Sequence, residues 1–183
     1  MTKEELIRKL KDKESFILAI DGKCGSGKST LAKELQLLFN ANVFHMDDFY
    51  LPVDKRTLER LSMPGGNVEY ERFLSTVLLP LIEGEDVVYQ RFDCSTMSYV
   101  EGEIIEYKPY NIIEGSYSLR PELVGYYTDI IVLDIDDELQ INRLIKRNPL
   151  KIDVFKEKWI PLENQYFEYY NIMNNFPVLK IKE

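Results

Sequence analysis

The sequence predicts a three-layer α/β domain, a mainly parallel five-stranded sheet flanked by helices. Three observations carry that prediction. Short runs of β-branched and aromatic residues stop at Gly or acidic residues, helical periodicity fills the stretches between them, and a glycine-rich turn joins the first such run to the first such helix. A chain of 183 residues has the size of one domain, and no repeat, linker or low-complexity tract divides it, so residues 1–183 read as a single unit. At 45% hydrophobic residues it has enough apolar surface for a core and is not a disordered chain.

The elements follow in order. MTKEELIRKLKDKESF sets Leu6, Ile7 and Leu10 among charges, with Thr2 and Glu5 spaced as a capping box, so an amphipathic helix opens the chain rather than the apolar block of a secretion signal. SFILAID (15–21) is apolar without helical period and reads as a buried strand. Leu31, Leu35 and Leu38 recur at helical spacing behind Ser29, and NVFHMD (42–47) is a second strand ending in acids, which completes a βαβ unit. Phe73, Val77 and Leu81 mark a helix that Pro80 shortens. EDVVYQRF (85–92) is extended, and 93–109, around Gly102, forms a small β-hairpin projecting from the sheet. YNIIEG (110–115) and DIIVLDI (129–135) are core strands. In DELQINRLIKRN (137–148), Ile141, Leu144 and Ile145 share one side while Arg143 and Arg147, four apart, leave together from another, and Pro149 ends the helix. A last helical pattern, about 151–173, aligns Trp159, Leu162, Tyr166 and Met173 with a kink at Pro161.

Composition excludes several functions. The net charge is −8, and no run of five Lys or Arg occurs, so the electrostatic footprint of a nucleic-acid binder is missing. The longest uninterrupted apolar run is the five residues Phe16–Ile20, where a membrane span needs ~20, so no membrane partner is expected. Cys24 and Cys94 are too few for a zinc site, and Cys24 lies in a glycine-rich loop; a reducing, cytoplasmic setting fits.

The functional signal is GKCGSGKS (22–29), which satisfies G-x-x-x-x-G-K-[ST] between a strand and a helix and predicts the phosphate loop of a P-loop NTPase fold. Gly22, Gly25 and Gly27 leave room for the backbone to curl, so that N–H groups from Lys23, Cys24, Ser26 and on into the helix start at Thr30 point at phosphate oxygens. Lys28 bridges the β- and γ-phosphates of the nucleotide and the Ser29 hydroxyl takes one Mg²⁺ position. No Asn is followed by Lys, so the guanine-reading signature of GTPases is absent. Asp47 and Asp48 end the next strand; neighbours in a strand point to opposite sides, so one faces the site. Asp47 is taken as the base that accepts a hydroxyl proton, and Asp48 as a group binding acceptor hydroxyls or water around the metal. His45 reads as a packed strand residue. For a second metal contact, Glu114 and Asp134 both end hydrophobic strands, and the residues alone leave the choice open.

These segments resemble the uridine kinase-like P-loop kinases, a family of uridine–cytidine kinases and, more distantly, nicotinamide riboside kinases, pantothenate kinase and phosphoribulokinase. The resemblance rests on AIDGKCGSGKST (19–30), MDDFY (46–50), YQRFDCS (89–95), NIIEGSYSL (111–119) and DIDDELQINRLIKRN (134–148). It implies an ATP- and Mg²⁺-dependent enzyme moving the γ-phosphoryl group to a hydroxyl of a nucleoside-like small molecule, with homo-oligomers as related kinases form. It further implies that Asp47 is the catalytic base, that Glu114 rather than Asp134 helps hold Mg²⁺, and that Arg143 and Arg147 belong to a helical lid at about 137–150. The resemblance thins at the acceptor. Where uridine kinases have Tyr-Asp-Phe and a following His, this chain has Tyr89-Gln90-Arg91-Phe92-Asp93 and no His in 90–183. Arg91, Asp93, Asn67 and Glu69 are polar acceptor candidates, and Phe49, Tyr50 and Phe92 are candidates for stacking. Two other readings follow: a nicotinamide riboside kinase-like or other small-molecule kinase, and a non-catalytic nucleotide-binding regulatory module that keeps the loop without an acceptor pocket.

Overall fold

A strand covered by helices on both faces must be apolar throughout, and every residue of β1 (Phe16–Gly22) is buried. A computed structural model describes residues 1–181. Ahead of β1 runs α1 (Lys3–Lys11), capped as its spacing predicts: the Thr2 hydroxyl accepts from the Glu5 N–H and the Glu5 carboxylate accepts from the Thr2 N–H. After β1 come α2 (Lys28–Phe39), β2 (Asn42–His45), a 3₁₀ turn at Met46–Phe49 and the short helix α3 (Leu58–Ser62). A helical run follows as α4 (Tyr70–Phe73), a π-helical turn (Leu74–Leu78) and α5 (Leu79–Glu83). Small strands β3 (Val87–Tyr89), β4 (Phe92–Asp93), β5 (Ser98–Tyr99) and β6 (Glu103–Ile105) lead to β7 (Tyr110–Glu114), α6 (Pro121–Val124), β8 (Asp129–Ile135) and α7 (Asp137–Arg147). The chain continues through α8 (Ile152–Val154), a second π-helical turn (Phe155–Trp159), α9 (Ile160–Tyr169), α10 (Ile172–Asn175) and β9 (Val178–Ile181).

The sheet has the order β2-β7-β1-β8-β9 with every pairing parallel. Because alternate residues of a strand face opposite ways, β1 feeds two cores. Ile17 and Ala19 join Phe44, Ile113, Phe73, Val77 and Tyr166 on one face, while Phe16, Leu18 and Ile20 join Leu6, Leu10, Leu31 and Leu35 on the other. The predicted three-layer architecture is the one observed. No helix among the described residues is long and apolar enough to cross a membrane.

Several predicted elements need correction. The fifth sheet strand is β9, not 85–92; β3 pairs antiparallel with β6, and β4 with β5, so the excursion begins at Val87 and is wider than the predicted hairpin. The second strand stops at His45, and both aspartates sit on the 3₁₀ turn. Pro80 does not shorten its helix, and at Pro161, where the sequence predicts a kink, the irregularity is a π-helical turn just before the proline. In each case a π-helical turn precedes the proline and absorbs the missing N–H and the ring's clash with the preceding turn. Leu38 and Ile145, placed on apolar stripes by their spacing, are largely exposed.

Candidate active site

Backbone geometry shapes the loop between β1 and α2. Gly22, Gly25 and Gly27 have φ of 147°, 80° and 99°, and a Cβ on Gly22 would fall 2.4 Å from the Leu133 carbonyl oxygen. Beneath the loop the buried Asp21 carboxylate accepts from the N–H groups of Gly22 (2.6 Å) and Leu119 (3.0 Å) and from the Tyr166 hydroxyl (2.8 Å). Burial pushes its pKa up to about 6, against the pull of Lys28 and these donors. Lys28 Nζ curls over the loop, donating to the carbonyls of Gly22 (2.7 Å) and Lys23 (3.1 Å) and to Ser116 Oγ (3.3 Å).

Two strand ends bring carboxylates to this loop. Glu114, the last residue of β7, accepts from Ser29 Oγ at 3.2 and 3.3 Å and contacts His45 Nδ1. Burial works to raise its pKa, but the His45 ring, Lys28 and Ser29 outweigh it and hold Glu114 below the ordinary range. His45 is raised, first by its hydrogen bond to Glu114, and it is not packed within the sheet: 45% of its side chain is exposed. Asp134 lies two strands away from β7, in register with Lys180 and outside the cleft lining. Asp47 opens into the cleft while protein surrounds it on most sides. Burial raises its pKa, Lys28 opposes, and Glu114, Glu163 and Asp48 add to the rise. The pair Ser29 and Glu114 fits a hard cation such as Mg²⁺, which takes one or two protein oxygens and completes its shell with phosphate and water. No group of three His, Cys, Asp or Glu side chains with metal-ligand spacing occurs among the described residues, so a fully protein-built cage is absent there.

Helix α7 lies against the loop. Arg143 Nη1 donates to the Gly25 carbonyl (3.4 Å), Gln140 Nε2 to the Cys24 carbonyl (2.8 Å), and Lys23 pairs with Asp137 (2.9 Å). Arg147 lines the cleft with its guanidinium 5.4 Å from the Phe155 ring centroid. Two further groups escaped the sequence reading. Glu163 is buried on α9; its Oε2 accepts from the Cys24 N–H (2.8 Å) and its Oε1 from Ser116 Oγ (2.7 Å). With burial, it pushes the Cys24 thiol up to about 12. Tyr117, at φ 74°, lines the cleft with a buried hydroxyl that has no partner. The only signal for Glu163 is its spacing of four from Trp159, which puts both on one helical side.

These groups converge on a cleft of about 520 Å³. From the loop it runs past Asp47 and Glu114 to an outer end walled by Tyr50, Arg56, Asn67, Cys94, Met97 and Trp159. The predicted residues divide accordingly. Cys24, Gly25, Gly27, Lys28, Ser29, Asp47, Tyr50, Glu114 and Arg147 line it. Asp48 does not: its carboxylate accepts from the Tyr89 hydroxyl (2.7 Å). Asp93 closes a local turn with Ser95 (2.7 Å to N, 2.6 Å to Oγ), and Arg91 is exposed outside the lining. Glu69 is buried beneath Lys55, Arg72 and Tyr99, while Phe49 and Phe92 are core residues. A more open concavity of about 620 Å³ carries Lys55, Arg60, Glu69, Glu71 and Arg72, whose charges pair with one another.

Known proteins resemble the chain in sequence and in fold. The chain is 26% identical over 171 residues to a uridine kinase of Clostridium perfringens strain SM101, covering 88% of this chain and 78% of that one. Against a uridine kinase of Halobacterium salinarum the identity is 22% over 173 residues, 84% of this chain and 75% of the relative. A solved structure described as a possible uridine kinase from Bacillus stearothermophilus superposes with a TM-score of 0.69 at 20% identity, over 96% of this chain and 94% of that one. In sequence the chain is similar to these uridine kinases, and in fold to the solved possible uridine kinase. No protein-family model matches it.

Proposed function

We propose that the protein transfers the γ-phosphoryl group of ATP to a hydroxyl of a small, nucleoside-like acceptor. The observation that supports this is the convergence of Lys28, Ser29, Asp47 and Glu114 on one cleft that continues beyond the loop far enough to hold a second molecule. Loop amides and Lys28 bind the phosphates, and Lys28 exchanges its carbonyl contacts for phosphate oxygens. Ser29 and Glu114 would hold Mg²⁺, which supplies charge neutralisation at the phosphates when bound. Asp47 takes the acceptor hydroxyl's proton as that oxygen bonds to the γ-phosphorus and the bond to the β–γ bridging oxygen breaks, releasing ADP. Its raised pKa makes it a stronger base than an ordinary aspartate. Arg143 and Arg147, on one side of α7, close as a lid on the charge of the transferring group.

The test is a panel of nucleosides, nicotinamide riboside, pantothenate and sugars with ATP and Mg²⁺, scored as ADP release above the blank without acceptor. Acceptor-dependent release that Asp47→Asn abolishes while ATP still binds supports phosphotransfer. ATP binding with no acceptor-dependent release across the panel overturns it in favour of a regulatory nucleotide-binding module.

A further inference from the structure

The outer end of the cleft carries a cation without a counter-ion. Of the cations between Leu51 and Arg72, Lys55 and Arg72 share Glu69 and Arg60 holds Glu71. Arg56 holds no carboxylate among the described residues. Its Nε donates to the Leu51 carbonyl (2.8 Å), which fixes the plane of the guanidinium, and its Cζ sits 4.8 Å from the Tyr50 ring centroid. Nη2 is shut off from solvent with no hydrogen-bond partner among the described residues. Guanidinium cannot discharge by losing a proton, so partial burial without a partner carries a standing cost. Beside it the Asn67 side chain, 8% exposed, lines the cleft and makes no side-chain hydrogen bond among the described residues. A neutral carbonyl would satisfy a donor of Arg56 but leave its charge uncompensated; an anion with two oxygens satisfies both.

We infer that the acceptor is a hydroxyl compound that also bears an anionic group, carboxylate or phosphate, and that Arg56, with Asn67, binds that group at the end of the cleft remote from the phosphate loop. The inference rests on the phosphotransfer reading for the hydroxyl and moves the acceptor away from neutral nucleosides. The cleft lining carries Asp47, Glu114 and Glu163 against Lys28, Arg147 and Arg56; with Lys28 and Arg147 committed to the nucleotide in the phosphotransfer reading, Arg56 is the lining cation left for the acceptor.

Trp159, the single tryptophan, lies 5.9 Å from the Tyr50 ring that Arg56 covers, and so reports on this end of the cleft. The experiment titrates matched compounds into the protein with Mg²⁺ and a non-hydrolysable ATP analogue, followed by calorimetry and Trp159 emission. The sets are ribose, ribonate and ribose 5-phosphate, and uridine against orotidine. At least one anionic member is expected to bind ~10-fold or more tighter than its neutral counterpart, the increment of a charged hydrogen-bonded contact. Arg56→Ala should erase that preference and Arg56→Lys keep part of it, with ATP affinity retained as proof of folding. The carboxylate and phosphate arms tell the two sources apart. Equal binding of neutral and anionic members, no binding of any anion, or a preference that survives Arg56→Ala overturns the inference. ADP release separates it from phosphotransfer. Arg56-dependent anion binding with no ADP release from any compound removes the transfer reading alone. A neutral alcohol phosphorylated equally by wild type and Arg56→Ala removes the anion site alone.

Discussion

The two ends of the cleft are built differently. The phosphate end stands on the carboxyl ends of β1, β2 and β7, where His45 pairs with Glu114, Glu114 with Ile20, and Gly22 with Leu133 of β8, so none can shift without breaking a parallel pairing. The outer end is assembled from the 3₁₀ segment after Asp47, the turn at Asn67, the hairpin tip at Cys94–Met97 and the π-helical turn that ends in Trp159. These pieces meet through an isolated bridge between Tyr50 and Val68, turn hydrogen bonds and side-chain contacts such as that of the Tyr50 and Trp159 rings. In the proposed function, the groups that handle the phosphates are thus held by the sheet, and those that select the acceptor by loops that can change without disturbing it.

Substitutions at the two ends should separate that contrast, beginning with the largest effect. Lys28→Ala is expected to lower kcat by ~10²–10³, as loss of a preorganised electrostatic contact does, while acceptor binding read from Trp159 stays intact. Asp47→Asn should lower kcat by at least ~100-fold with ATP affinity kept, measured by steady-state kinetics and calorimetry. The same pair sharpens the assignment through pH. As the proposed base Asp47 would act deprotonated, and its pKa is raised, so wild-type kcat/KM should rise with pH through a value above the ordinary ~3.9 of an aspartate, and the Asn variant should lose that limb. Gly115→Ala strikes the strand-held end through packing. At φ 141° its Cβ would come 2.7 Å from the Met46 Cβ, and denaturant titration should show a loss of about 1–3 kcal/mol. The subtlest effect belongs to Asp21. Its folded pKa, about 6, exceeds the unfolded value, so the folded state binds more protons between those values. Wild-type stability relative to Asp21→Asn should therefore fall as pH rises from ~4 to about 6 and then level off; the opposite slope would place the carboxylate in a different environment.

How much of this was legible in the chain follows the same division. The loop and β1 are contiguous words, so spacing alone located Lys28 and Ser29, while Glu114 was separated from Asp134 only by the family resemblance. Asp47 and Asp48 do diverge, one into the cleft and one to Tyr89, but on a 3₁₀ turn where neighbours are ~120° apart rather than on a strand. The fifth strand was hidden because β9 is a short edge strand carrying Lys180, while 85–92 has the composition of a core strand. Burial shows what composition concealed: Val87 and Tyr89 are buried but Val88 is 62% exposed, the alternation of a one-sided ribbon rather than of a strand covered twice. Arg56 and Glu163 were invisible for another reason. Each acquires its role from residues far along the chain, Glu163 from Cys24 and Arg56 from a cleft whose opposite wall is Trp159. No local pattern encodes such a meeting.

The π-helical turn at Phe155–Trp159 sets the angular phase of everything after it. One residue more than an α-helical turn needs shifts the following side chains by ~100° around the axis, and with that shift Glu163 meets the Cys24 amide. Removing a single residue from 155–159 would spin the carboxylate away from the loop and return Pro161 to a helix with no slack for its ring. A length change elsewhere on the surface is absorbed by a loop; here it would act as a rotation, felt about as far down the helix as Tyr166, whose hydroxyl braces Asp21.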